Sequence, residues 1–263
     1  MHLGIEGKVA FITGAGRGLG KSIANCLARE GVSIIANSRS EEDLRSLMNE
    51  LPKPKSEIDH QYFCADLATN HGPEDLLNFL DRQQVTPDIV IHNLGGNLNI
   101  TDPLCSLDQW RSVMRINVEV PIELNRIFIP QMQKKGWGRI CHVSSIAGLE
   151  NQGPPAYCAA KAALIAYARS VGRYVAKDGI VVTSILPGAV FTEGGYWDTA
   201  SKTRPGHVEK YLSERMAINR FGKPDEIGEV VTFMCSNHSS FCIGSAFLVD
   251  GGQGKVFFGQ ELS

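Results

Sequence analysis

The sequence predicts an α/β fold: one doubly wound sheet of seven parallel strands flanked by helices on both faces. Three observations carry that prediction. Short apolar, β-branched runs alternate with longer amphipathic stretches seven times along the 263 residues, a pattern that calls for parallel strands and right-handed crossovers. A glycine-rich turn directly follows the first strand, where a βαβ unit places it. No repeat, low-complexity segment or linker interrupts the chain, so residues 1–263 read as a single domain.

Taken in order, the first strand spans 9–13 and runs into Thr13-Gly14-Ala15-Gly16-Arg17-Gly18-Leu19-Gly20, from which a helix extends over 18–30. The second strand, 33–37, ends at Ser38-Arg39 and is followed by a helix over 41–51. The third strand, 61–64, leads through Asp66-Leu67 to a helix over 73–84. A fourth strand over 89–93 enters His92-Asn93-Leu94-Gly95, and the next helical pattern, 107–134, contains Asn117. The fifth strand, 138–143, ends in Val143-Ser144-Ser145, ahead of a helix over 154–177. The sixth, 180–186, leads into Pro187-Gly188. A helix over 224–235 and a strand over 246–249 complete the series, ending at Asp250-Gly251-Gly252. Residues 189–219 lack a strand in its expected place and read as an irregular insertion, a binding flap.

Tyr157 and Lys161 lie four positions apart on one helix, so they share a face. A tyrosine ordinarily ionises near pH 10, and a neighbouring cation favours the phenolate and lowers that value. The pair is a candidate proton donor and acceptor. Alone it is equally at home as a surface contact; the motifs around it supply the case.

The glycines let the backbone approach a pyrophosphate, and the helix that follows offers free N–H groups and a positive dipole end. The form Thr-Gly-x-x-x-Gly-x-Gly, together with Tyr-x-x-x-Lys, resembles the short-chain dehydrogenase/reductase family. The resemblance runs from Gly7 to Gly252, and much of the chain is similar to the 3-oxoacyl-carrier-protein reductases of that family. It implies a Rossmann fold and hydride transfer between a nicotinamide and a carbonyl or secondary alcohol. Gly14, Gly16, Arg17, Gly18, Leu19 and Gly20 would form the phosphate turn. NAD-binding members carry an acid where Ser38 stands. With Arg39 beside it and Arg17 a second cation on the same side, NADP(H) is preferred and NAD(H) is the alternative. Asp66 and Leu67 are implied adenine contacts, a helix cap being the other reading of Asp66.

Asn93 and Gly95 match the family's Asn-Asn-Ala-Gly and would line the ribose; His92 and Leu94 do not match. By strand alternation His92 points away from Asn93 and reads as a packed histidine. Asn117 is implied to distort its helix and position a water that relays protons to Lys161, with a core hydrogen bond as the alternative. Ser145 is the implied donor to the substrate carbonyl, with Ser144 as its rival. Ser145 precedes Tyr157 by twelve positions, one fewer than is common, so the loop 149–156 has absorbed a deletion. Pro187, Gly188 and Val190 are implied to hold the nicotinamide carboxamide and Thr192 to reach the diphosphate. In many relatives the last strand and helix form a subunit interface, which implies a homotetramer or homodimer.

Composition narrows the field. A net charge of −2 with no basic stripe gives nucleic acid nothing to bind. The seven scattered cysteines, without a Cys-x-x-Cys pair, indicate neither a disulfide framework nor a metal site. No apolar run reaches membrane-span length and the N-terminus lacks a signal-peptide core, so the expectation is a cytoplasmic protein away from membranes. A serine hydrolase would need Gly-x-Ser-x-Gly, which the chain lacks.

Two substrate classes stay open. A 3-oxoacyl thioester on an acidic acyl carrier protein would suit a basic patch from Lys202, Arg204, Lys210 and Arg215. A sugar, polyol or nucleotide sugar would suit Glu150, Asn151 and Gln152, with Tyr196 and Trp197 available to stack. A catalytically idle dinucleotide sensor is the reading from another class. The presence of Asn117, Ser145, Tyr157 and Lys161 together argues against it.

Overall fold

Along β1 (Val9–Ile12) successive side chains enter two different cores: Ala10 and Ile12 face one, Val9 and Phe11 the other. That alternation is the signature of a sheet covered on both faces. The computed structural model describes residues 2–150 and 152–255. In it β1, β2 (Ser33–Ser38), β3 (Gln61–Cys64), β4 (Ile89–His92), β5 (Gly138–Val143), β6 (Ile180–Pro187) and β7 (Ala246–Val249) form one seven-stranded sheet. The strand order is β3-β2-β1-β4-β5-β6-β7 and every pairing is parallel.

On one face lie α1 (Gly18–Arg29), α2 (Glu41–Glu50) and α9 (Pro224–Met234), burying Ile23, Leu27, Leu44, Leu47, Ile227 and Val231. On the other lie α3 (Gly72–Gln83), α5 (Val120–Lys135) and α6 (Pro155–Val175), burying Leu76, Leu80, Leu124, Phe128 and Ala168. The strand order reverses between β1 and β4. The connections leaving their carboxyl ends therefore run to opposite faces of the sheet and leave a crevice, which is where open α/β sheets bind ligands.

Two expectations need correction; the other elements fall within two residues of their predicted limits. The helix expected over 107–134 is broken. α4 (Leu107–Met114) passes into a single wide π-turn, Arg115–Glu119, before α5 begins. Pro121 has no N–H to offer the carbonyl four residues back, at Asn117, so a regular ladder cannot pass this point. The Asn117 side chain secures the distortion: its Nδ2 donates to Val113 O and Gly96 O, both at 2.8 Å, and its Oδ1 accepts from Gly96 N at 3.1 Å.

The flap is not irregular either. It folds as α7 (Tyr196–Thr203) and α8 (Pro205–Arg215). Asp198 accepts the Gly194 N–H at the start of α7 and pairs with Lys202 one turn on, and Pro205 opens α8 where a missing N–H costs nothing. These were local helix signals in a stretch where a strand had been sought.

Candidate active site

The phosphate turn is built by exclusion of side chains. Gly14 and Gly18 hold φ of +65° and +58°, a conformation other residues rarely adopt. A Cβ on Gly20 would collide with the Gly14 carbonyl oxygen, so this glycine brings α1 against the turn without itself lining the cleft. Asn93 fixes the turn from the next strand: its Nδ2 donates to Thr13 O at 3.0 Å and Gly14 O at 2.9 Å. The Asn93 amide is thus a clamp on the turn, and the residue also lines the cleft beside it.

Around this turn opens a cleft of about 540 Å³, within the roughly 300–1,000 Å³ of small-molecule and cofactor sites. Gly14, Gly16, Arg17, Gly18 and Leu19 line it beside Ser38, Arg39, Asp66 and Leu67. Asn93, Gly95, Ser145, Tyr157 and Lys161 continue the wall, and Pro187, Gly188, Val190, Thr192 and Trp197 close it. The cleft fits a dinucleotide on this structure's own terms. Side chains are excluded where a diphosphate would run, and Thr192 stands 3.5 Å from where a Gly18 Cβ would be.

At the outer end, the Ser38 hydroxyl lies 2.9 Å from where a Gly16 Cβ would stand. Arg39 is largely exposed and reaches Asp66, Nη1 to Oδ2, at 3.6 Å. Asp66 Oδ1 also accepts from Ala68 N at 2.9 Å, closing a turn; α3 begins later, with His71 as its N-cap, so Asp66 is not a helix cap.

The inner end gathers the proton-bearing groups. Ser144 is withdrawn: its hydroxyl donates to Lys161 O at 3.0 Å in the core. Ser145 accepts from Ala147 N at 3.1 Å and hydrogen-bonds the Tyr157 hydroxyl. Of the two serines, Ser145 is the one that faces the tyrosine.

Lys161 is 3% exposed, donates to Val143 O at 2.8 Å, and lies 5.6 Å from the centroid of the Tyr157 ring. Burial pushes its pKa down to about 8. The lowering expected from Lys161 is not among the influences on the Tyr157 phenol in this cleft. Burial raises the phenol first, the Ser145 hydrogen bond lowers it less, and Cys158 raises it again. Gly95 separates the two partners of this site: a Cβ there would lie 2.6 Å from Asn117 Oδ1 and 3.0 Å from Lys161 Nζ. Asn117 does not line the cleft; its side chain holds Gly96, next to Gly95.

The substrate-side expectations fare unevenly. Trp197 lines the cleft, stacked on Tyr211 at 4.3 Å and Phe221 at 4.6 Å. Tyr196 is 58% exposed and sits under Arg204. Gln152 donates to Glu150 Oε2 at 2.7 Å, and neither lines the cleft. Asn151 lies outside the described residues. The basic residues of the flap are mostly engaged: Lys202 pairs with Asp198 at 2.8 Å, Lys210 with Glu214 at 3.8 Å, and Arg204 with the Tyr196 hydroxyl. His92 is buried under α5, where its Nε2 meets Asn125 Oδ1 at 2.8 Å and its ring stacks on His142. Sequence reasoning missed Gln253, whose amide ties three segments beside the cleft; nothing in its neighbourhood of the chain marks it.

The family model described as Enoyl-(Acyl carrier protein) reductase matches residues 14–253. The chain belongs to the short-chain dehydrogenase/reductase family. Its reaction class is the family's, oxidoreduction at a carbonyl or CH–OH carbon. Among curated members, 3-oxoacyl-[acyl-carrier-protein] reductase FabG of Aquifex aeolicus is 27% identical, over 96% of this chain and 99% of that protein. Among solved members, L-sorbose reductase from Gluconobacter frateurii, complexed with NADPH and L-sorbose, is 30% identical with a TM-score of 0.88. It covers 97% of this chain and 99% of that one. An NAD(P)-dependent gluconate 5-dehydrogenase from Beutenbergia cavernae, described as putative and with bound NADP, is 26% identical with a TM-score of 0.85, covering 96% and 99%.

Among the described residues no helix is long and apolar enough to cross a membrane, and no group of three or more His, Cys, Asp or Glu residues is placed to hold a metal ion.

Proposed function

We propose that this short-chain dehydrogenase/reductase uses NADP(H) to reduce, and in reverse to form, the ketone of a small polyhydroxylated compound. The observation that carries the substrate class is the polar character of the loop between Ser145 and Tyr157, which stands behind the cleft wall. Gly153 is near enough that its Cβ would lie 3.4 Å from the Tyr157 ring, and the residues before it, Glu150 and Gln152, form a hydrogen-bonded pair. A polyhydroxylated substrate suits a loop of this polarity better than an acyl chain does. Of the four flap cations that an acidic acyl carrier protein would need, Lys202 and Lys210 pair with carboxylates within the flap. The likeness to the L-sorbose reductase supports the same reading.

The coenzyme preference rests on Ser38, with Arg39 and Arg17 nearby and no carboxylate at that position to repel a 2′-phosphate. When bound, the nicotinamide supplies or takes the hydride. The chain's own residues handle the proton. Ser145 donates to the carbonyl oxygen as charge develops there. Tyr157, kept protonated at neutral pH by burial, delivers the proton. Lys161 has N–H groups left after its bond to Val143 O, to hold a ribose hydroxyl and return a proton to the tyrosine. Asn117 positions Gly95 and Gly96 through its bonds to the latter. The assembly we propose is a homotetramer or homodimer through β7, whose edge carries the exposed Leu248.

The test is a panel of keto-sugars, keto-acids of polyols, diketones and acyl thioesters, followed by NADPH absorbance and repeated with NADH. Fastest turnover on a polyhydroxylated ketone with NADPH is expected. Fastest turnover on acyl thioesters would replace this substrate class with the acyl one.

A further inference from the structure

Gln253 lies beyond the end of β7 and is 3% exposed. Its amide is wholly committed. Oε1 accepts from Ala189 N at 2.7 Å, while Nε2 donates to Tyr211 Oη at 2.6 Å and to Gln152 Oε1 at 2.7 Å. The three partners belong to separate segments: the turn after β6, flap helix α8, and the loop after Ser145. Gly188 makes the approach available, since a Cβ there would lie 2.8 Å from Gln253 Oε1 and 2.7 Å from Asp250 Cβ.

Each partner leads on to the cleft. Ala189 stands between Gly188 and Val190 in the cleft wall. Tyr211 stacks on Trp197, the flap side chain that lines the cleft. Gln152 precedes Gly153, which is packed toward the Tyr157 ring. The segment carrying Gln253 is itself pinned, with Gly254 N donating to Asp250 Oδ2 at 2.6 Å and Lys255 N to the Glu150 carboxylate.

We propose that Gln253 is a positioning residue that latches the flap: through Tyr211 it holds α8, and with it Trp197, at a fixed distance from the loop that follows Ser145, and so sets the width of the substrate end of the cleft. A single buried amide suits the task. Three short hydrogen bonds define one closed position, and breaking them frees α8 while leaving the sheet intact. The kinetic part of this proposal rests on the reading of the cleft as an NADP(H)-dependent reductase site; the conformational part does not.

The test uses the full chain with Gln253→Leu, which keeps the bulk and removes the amide, and Tyr211→Phe, which removes one hydroxyl. Amide exchange over residues 196–215 is expected to accelerate by about tenfold in each variant, with the strands unchanged. In Tyr211→Phe, which leaves the Ala189 bond in place, NADPH affinity read by fluorescence titration is expected to stay within about twofold, and in both variants KM for the best carbonyl of the panel is expected to rise about tenfold with little change in kcat. The double variant is expected to be no worse than the more affected single one, because both remove the same link. Unchanged exchange in α7 and α8, exchange accelerated equally throughout the sheet, or additive effects in the double variant would each overturn the latch. If Gln253→Leu does not fold, Tyr211→Phe alone decides by the exchange and KM readouts. Absence of turnover on the whole panel would count against the proposed reaction, while the exchange readout would still decide the latch.

Discussion

Lys161 is held in the fold against its own solvation. Its pKa of about 8, against 10.5 for a free lysine, means the charged form is held below pH 8 at a cost of about 3 kcal/mol. Its hydrogen bond to Val143 O returns about 1 kcal/mol. Lys161→Met is therefore expected to abolish turnover yet raise Tm at pH 7 by roughly 4–8 °C, since a chain of this length gains roughly 2–4 °C per kcal/mol. The sign follows from the depressed pKa: the variant's advantage is full below pH 8 and gone above 10.5, which melts at pH 7 and pH 10.5 would register. A lower Tm for the variant at pH 7 would refute it. Tyr157→Phe is expected to cost turnover about 10²- to 10⁴-fold while coenzyme titration is unchanged; near-normal turnover would remove Tyr157 from the proton path. Spacing and the motifs around the pair made both residues legible. The direction of the tyrosine's shift was not, because the burial that raises it belongs to the assembled fold.

Among the elements, the end of β2 is where we place the choice of coenzyme. With the Ser38 hydroxyl facing Gly16, Ser38→Asp would set a carboxylate at the mouth of the phosphate turn. It is expected to raise KM for NADPH by about tenfold or more and to lower that for NADH, as parallel Michaelis curves would show. An unchanged ratio of the two constants would move the selectivity elsewhere. The strands and most helices were legible because each carries its own pattern, two-sided in the sheet and one-sided in the helices. The break at Arg115–Glu119 was legible at Asn117 through the family resemblance alone, since the apolar pattern runs on through it; Pro121 supplies its physical reason. The flap was misjudged for the opposite reason. Its helices are short and polar, and the buried residues among them are few, so periodicity gives almost no signal.

At the scale of the molecule, the face under α5 and α6 contains a row of polar side chains where an apolar core would be expected. His92, His142 and Ser184 sit side by side on β4, β5 and β6, and His92 Nδ1, His142 Nδ1 and Ser184 Oγ are buried without partners. Burial takes the His92 pKa down to about 4 and that of His142 well below the usual value. Neutral when folded, both charge near pH 6.5 once unfolded. Their contribution is thus complete above pH 6.5 and lost as pH falls toward 4. Urea melts are expected to show His92 alone removing about 2 kcal/mol between pH 7.5 and pH 5, a loss that His92→Gln should abolish. The same pH slope in both proteins would assign the loss to other groups. Elsewhere, α1, which opens the phosphate turn, is roofed by α9: the Ser22 hydroxyl donates to Asp225 Oδ1 at 2.6 Å across 203 positions, and a Cβ on Gly228 would lie 2.6 Å from Cys26 Sγ. The nucleotide half therefore cannot finish itself. Synthesised up to β4, it would possess every glycine of its turn and still leave the Ser22 and Cys26 face of α1 open to water, so competence to bind is among the last properties the growing chain acquires.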